Sequence, residues 1–350
     1  MRILHVGNFG ARAKGAFLHS VAPKLSRGLV RNGHQTFDFS DRDVAKAGSL
    51  FGWSRKLGVA AVNRALRQLA EDMRPDLLVL GHADTIRAAT IADMRRAMPA
   101  MRVLQWNVDP LFEPDNIRRL RGKLDVVDAT LVSTAGTALA PLKRAGMRLG
   151  FLPNPVDFSI ESGRAHLHAD LPHDLFYACG HPSRPPRALF GQDWNMETLL
   201  TKLLAAAPGV RPLLPGLFGA PHLAGAPYQD ALSTCAIGLN ASRRNDAFLY
   251  TSDRLAHMVG NGQAVLIDRA TGYGQFFADD ALAFFDDFDS LAAQLRRLVA
   301  DKPARMALAA AGRARYHALF NETLVAAYLV GVAMDTHKAE DFAWPTLIDP

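Results

Sequence analysis

The stretch that most constrains the fold is 236–267. Residues 236–239 form a short apolar run, and 240–245 form a polar loop carrying Arg243 and Arg244. Thr251, Ser252 and Asp253 are favoured N-cap types immediately before Arg254, His257 and Met258, and Asn261 with Gly262 supplies the stop. Residues 264–267 are apolar throughout, so this strand is buried on both faces and belongs to a parallel sheet covered by helices. Strand, polar loop, capped helix, glycine and strand in that order bring two arginines, a histidine and helix-terminal N–H groups to one rim of a sheet. Anions bind at such rims.

The same alternation runs along the chain. Strands are expected at 2–7, 35–39, 76–81, 101–106 and 128–133, with helices at 19–31, 57–73, 90–98, 114–124 and 139–145. A second series has strands at 174–179, 211–214, 236–239, 264–267 and 281–285. Its helices lie at 196–206, 227–233, 251–260, 290–300, 303–320 and 322–336. At 350 residues the chain exceeds what one core supports, so two α/β domains are expected.

Composition narrows the class. With 49% hydrophobic and 21% charged residues the chain is neither disordered nor membrane-spanning, and no apolar run reaches the roughly 18 residues a spanning helix needs. Met1 and Arg2 lead directly into a strand instead of a signal peptide, and a cytoplasmic protein is expected. Cys179 and Cys235 stand far apart without metal-ligand spacing and read as small buried residues. Of the net charge of +6, the excess of basic residues lies before Asp157, while acidic residues prevail after it. A basic first half suits an anionic glycolipid or membrane surface. Its cations are scattered over several helices without a nucleic-acid motif, so no nucleic-acid partner is expected. Phe51 and Trp53 beside Arg55 and Lys56 fit either a lipid-facing connector or a loop packed on its domain.

Polar residues directly after buried strands occupy the edge where open α/β sheets bind ligands. His82 and Asp84 follow 76–81 in this way, and Asp109 follows 101–106. They are the candidate catalytic groups, Asp109 first, although Asp is also favoured there as a turn former or helix cap. Gly7, Gly10 and Gly15 form a glycine loop after the first strand without the GxGxxG dinucleotide spacing. Asp41 and Asp43 have the spacing of a metal motif, but no such motif stands at an expected strand end, and no metal site is expected.

The opening segment resembles the donor-binding domain of GT-B glycosyltransferases of group 1. In these a Ser-bearing helix start, an Arg and a Glu three residues later precede a small residue, a Gly and an apolar strand. Ser252, Asp253, Arg254, Gly262 and 264–267 carry the resemblance; His257 departs from it, standing where the family has a Glu that holds donor ribose. Residues 149–157, LGFLPNPVD, resemble the crossing between the two domains of that fold. The resemblance implies an α/β chain of two Rossmann-like doubly wound domains facing a cleft, with C-terminal helices crossing back. It places an acceptor domain at 1–155, a donor domain at 156–335 and a tail at 336–350. It also implies a nucleotide-sugar donor as substrate, no permanently bound cofactor and no metal.

Donor contacts are then expected from Gly7, Gly10, Gly15, Gly180, Arg184, Arg243, Arg244, Ser252, Asp253, Arg254, His257 and Gly262. The acceptor is expected to be a glycan or a lipid-linked glycan in cell-surface polysaccharide synthesis. His181-Pro182 matches a dipeptide of CMP-sugar transferases, so a CMP-activated acidic sugar is one alternative. A catalytically silent nucleotide-sugar-binding protein is another.

Overall fold

A computed structural model describes residues 1–10, 15, 17–49, 54–180 and 185–345. The chain divides into two compact units, Met1–Pro155 with Glu322–Pro350, and Val156–Asn321.

In the first unit strand β1 (Arg2–Gly7) leads to helix α1 (Val21–Arg31), then β2 (Gln35–Ser40), α2 (Asp41–Ala47), α3 (Val59–Met73), β3 (Leu77–Gly81) and α4 (Ala88–Ala97). After these come β4 (Arg102–Asn107), α5 (Pro114–Arg121), β5 (Ala129–Val132) and β6 (Arg148–Phe151). All six strands are parallel, in the order β2-β1-β3-β4-β5-β6. Leu4, Val6, Leu78 and Leu80 share one core cluster with Val62 and Leu66 of α3 and Ile91 and Met94 of α4. The alternate residue His5 faces the other way, where it meets Ser26 of α1, as the two-residue period of a strand requires.

The second unit runs β7 (His173–Phe176), the hairpin β8 (Arg187–Leu189) and β9 (Gln192–Trp194), α6 (Met196–Ala206), β10 (Pro212–Leu213) and α7 (Ala226–Ser233). It continues with β11 (Cys235–Asn240), α8 (Arg254–Gly260), β12 (Ala264–Asp268), β13 (Ala283–Phe285), α9 (Phe288–Ala300) and α10 (Lys302–Phe320). Its five-stranded sheet is again parallel, in the order β10-β7-β11-β12-β13. β11 and β12 are buried at every position, as their unbroken apolar runs demand. The ends of this unit lie together: Val156 pairs with Asn321 in a parallel bridge, and its N–H donates to Phe320 O at 2.9 Å.

Helix α11 (Glu322–Met334) belongs to the first unit, which corrects the assignment of 156–335 to one domain. The reason is a close crossing with α1. A Cβ on Gly28 would lie 2.0 Å from Glu322 O, and Arg31 pairs with Glu322 at 2.5 Å. Following α11, Trp344 is 3% exposed and packs on Tyr328 of that helix. Among the described residues no helix is long and apolar enough to cross a membrane. Phe51 and Trp53 lie outside the described residues.

Candidate active site

Both sheets present polar residues at their carboxyl edges, one rim on each unit.

In the second unit the rim is organised by Arg254, the first residue of α8. Its guanidinium reaches back to donate to Ala178 O at 3.1 Å and Ala241 O at 3.2 Å, and lies 5.4 Å from the Tyr177 ring centre. It thereby ties together the segments that leave β7 and β11. Tyr177 supports the same point, its hydroxyl donating to Ala241 O at 3.3 Å and accepting from Arg187 Nε at 3.2 Å. Around Ala241 and Ser242 three side chains hold buried polar atoms with no protein partner: both amide atoms of Asn240, Ser252 Oγ and Arg254 Nε. Asn240 is fully buried at the last position of β11, and Ser252 is drawn to the same place by its N–H, which donates to Ser242 Oγ at 3.0 Å. Buried amides and hydroxyls left unbonded cost about 1–3 kcal/mol each, so such a group of them is a ready set of donors and acceptors.

The other expected donor residues fall into place unevenly. Arg243 is half-buried, and Arg244 is an exposed residue paired with Asp246, Nε to Oδ1 2.7 Å. Their loop is fixed by Asn245, whose amide donates to Ala188 O at 2.8 Å and Ser242 O at 3.0 Å. Asp253 takes the N-cap position without a side-chain capping bond. Gly180 is exposed, with the His222 ring to one side: a Cβ there would lie 3.0 Å from His222 Cε1. Arg184, with His181 and Pro182, lies outside the described residues.

Two of the expected donor residues are engaged within the unit. His257 is 6% exposed, with Nδ1 at 3.1 Å from the Tyr228 hydroxyl and Nε2 at 3.9 Å from Glu161, so both ring nitrogens face protein. Gly262 has φ 84° and serves the helix stop, because a Cβ would meet His166 Nδ1 at 2.3 Å. α8 is buried from Leu255 to Gly260, and only its first residue serves the rim.

In the first unit the glycines also divide. Gly10 has φ 62° and its Cβ space is filled by the Phe17 ring at 2.3 Å; Gly15 has φ 77°, and Gly7 makes only ordinary contacts. The loop residues between Gly10 and Gly15 lie outside the described residues.

The candidate catalytic residues do gather. His82 and Ala83 leave β3 with φ 58° and 37°, a left-handed turn that non-glycine residues adopt at a cost of about 1–3 kcal/mol each. The turn places His82 Nδ1 3.4 Å from Asp109 Oδ2 and 3.4 Å from the Asn107 amide nitrogen. Asn107 is fixed in turn, donating to Asn116 Oδ1 at 2.8 Å while its oxygen accepts from Asp109 N–H at 2.8 Å. Arg119 spans both carboxylates, 3.7 Å from Asp84 and 3.5 Å from Asp109, and Arg42 meets Asp84 at 2.5 Å. Arg119 of α5 thereby joins these two carboxylates at the rim.

Asp41, which follows β2 directly, is 1% exposed and accepts from Thr85 N–H and Oγ1. Burial raises its pKa, and burial lowers that of Lys123, whose ammonium is drawn back by Asp84 and Asp41. The His82 ring is likewise held below the usual imidazole range by burial, with Asp109 and Asp84 pulling the other way. A neutral imidazole beside an exposed carboxylate can accept a proton from a hydroxyl. Among the described residues no group of three or more His, Cys, Asp or Glu could hold a metal ion.

Beneath this rim His5 is fully buried, and burial lowers its pKa to about 3. The folded chain keeps it neutral while the unfolded chain protonates it below about 6.5, so the unfolded state binds more protons between those values. Stability should therefore fall on acidification through that window, by at most about 1.4 kcal/mol per pH unit from this group, and be independent of it above. His82 has the same sign; the raised carboxyls of Asp38 and Asp41 have the opposite one. Urea midpoints at pH 7, 6, 5 and 4, compared with those of His5→Phe, isolate the contribution: the variant should show the flatter profile.

Residues 186–330 match the family model described as glycosyl transferase-like. No match is found among curated proteins. Solved structures similar in fold include sucrose-phosphate synthase from Thermosynechococcus elongatus (12% identity, TM-score 0.60, 96% of this chain and 98% of that one). HepE from Anabaena, in complex with UDP and glucose, is similar at 13% identity and TM-score 0.60 over 96% and 100%. A UDP-forming α,α-trehalose-phosphate synthase from Burkholderia xenovorans is similar at 11% identity and TM-score 0.57 over 97% and 99%. Two parallel sheets in sequence and this common fold give the chain the GT-B fold, and its residues 186–330 resemble the glycosyl transferase-like family.

Proposed function

We propose that the protein transfers a sugar from a uridine diphosphate donor to a hydroxyl of a cell-surface glycan or glycolipid. The observation that carries the donor side is the group of partnerless buried atoms on Asn240, Ser252 and Arg254, which lies inside the family match. Arg254 Nε–H and the Asn240 amide would donate to the departing diphosphate, and Ser252 would complete the set. Charge-assisted bonds of this kind stabilise a leaving group that gains charge in the transition state. On the acceptor side, Asp109 and His82 are the proposed base pair, with Arg119 and Asn107 holding their geometry. Uridine is favoured because HepE is described with UDP and glucose, and the trehalose-phosphate synthase as UDP-forming.

Thermal shift against UDP, GDP, dTDP, ADP and CMP tests the donor. A ligand at 100 times its Kd stabilises by about 2.7 kcal/mol. UDP alone should raise the melting temperature. Stabilisation by CMP alone would transfer the reading to a CMP-activated sugar, and no shift with any of the five would remove it.

A further inference from the structure

We propose that Trp106 is a positioning residue for His82, aimed by a one-way hydrogen-bond relay through His5 and Ser26 to Asp38. It presumes the base role given above to His82 and Asp109.

The relay follows from which groups can only donate. Trp106 Nε1–H has no lone pair to offer, and it stands 3.1 Å from His5 Nε2. That nitrogen must accept, so the neutral His5 ring carries its proton on Nδ1. Nδ1–H then donates to Ser26 Oγ at 2.8 Å, and the single hydroxyl proton of Ser26 goes on to Asp38 Oδ1 at 2.6 Å. Every proton in the chain points the same way, toward a carboxylate. Protonation of His5 would set two N–H groups against each other, in keeping with a ring that stays neutral to about pH 3.

This arrangement reaches across the sheet. His5 is on β1 and Trp106 on β4, with β3 between them. Trp106 is paired in register with Gly81, and the indole crosses over that residue: a Cβ at Gly81 would lie 2.2 Å from Trp106 Cζ2. Gly81 immediately precedes His82, and the indole stands edge-on to the His82 ring, centres 5.5 Å apart at 81°. One side of the His82 ring thus rests on an indole whose rotation is fixed by a bond from its only polar atom. The groups around His82 that carry charge are Asp109, Asp84, Arg42 and Arg119.

The test reads His82 directly, in the ligand-free protein, by following its ring resonances through a pH titration. In Trp106→Phe the His82 midpoint should move by at least about half a pH unit. Turnover should fall roughly tenfold with donor KM unchanged. Ser26→Ala, which breaks the relay away from the rim, should shift the midpoint the same way by less, and serves if the Trp106 variant does not fold. An unaltered His82 titration in a folded variant of either kind overturns the proposal. Normal turnover in Asp109→Asn would instead overturn the base role while leaving the titration result standing.

Discussion

Gly28→Val should lower the melting temperature of the first unit by about 6–12 °C, from a loss of about 3 kcal/mol or more. The added Cβ alone would stand 2.0 Å from Glu322 O, 2.6 Å from the carbonyl carbon and 2.8 Å from Ala326 Cβ. Relief would require the backbone of α11 to withdraw, and several bonds hold it. Arg31 pairs with Glu322, the Asn32 amide donates to Thr323 O at 2.8 Å, and Arg148 donates to Ala333 O at 3.0 Å. Val325, Tyr328, Leu329 and Val332 on the same helix are fully buried and would be exposed by its departure. Thermal melts with limited proteolysis check this, the variant being cut near Asn321. A melting temperature equal to that of the parent would mean that α1 and α11 do not cross in this way.

Arg254→Ala has the second largest expected effect, and it acts on two observables. Hydrogen bonds from a charged donor contribute about 1.5–3 kcal/mol, and here two end on carbonyls just past β7 and β11. Ala241 O keeps its bond from Tyr177, whereas Ala178 O loses the Arg254 donor, so destabilisation by about 2–4 kcal/mol is expected. Nucleotide affinity should fall by about tenfold or more, because the Nε donor is gone and the two segments it holds are released. Arg254→Lys keeps the charge without the planar fork and should recover less than half of either loss. Denaturant melts paired with UDP titration separate the effects: lost stability with intact affinity would leave Arg254 a purely architectural residue.

Much of this was legible in the chain because buried parallel strands are apolar without interruption. Residues 76–81 and 264–267 could hardly be anything else, and the polar residues after them had to lie at a rim. His82, Asp84 and Asp109 were accessible by that rule alone. Asn240 obeys the same rule at the end of β11 and was passed over, because an Asn before a basic loop looks like part of the turn.

What was missed has physical causes. α2 (Asp41–Ala47) is a short helix on a polar sequence, and the edge strand β6 lies inside a stretch dominated by its prolines. The region expected to be helical at 139–145 is instead a 3-10 segment, Gly136–Leu142, with Pro141 inside it. His257 could not be placed from sequence, since its partners Tyr228 and Glu161 lie 29 and 96 positions away. The same holds for Arg119: nothing local distinguishes it from Arg118, which pairs with Asp115 on its own helix, yet it turns to two carboxylates on other elements.

The order of the chain also sets an order of assembly. The second unit is a continuous segment whose two ends lie together, so everything it requires has been synthesised once Asn321 is made. The first unit, although its strands come first, lacks the helix that closes over α1 until residues beyond 322 emerge. A growing chain therefore finishes its later half before its earlier half, and the apolar face awaiting α11 is the surface a chaperone would meet during that interval.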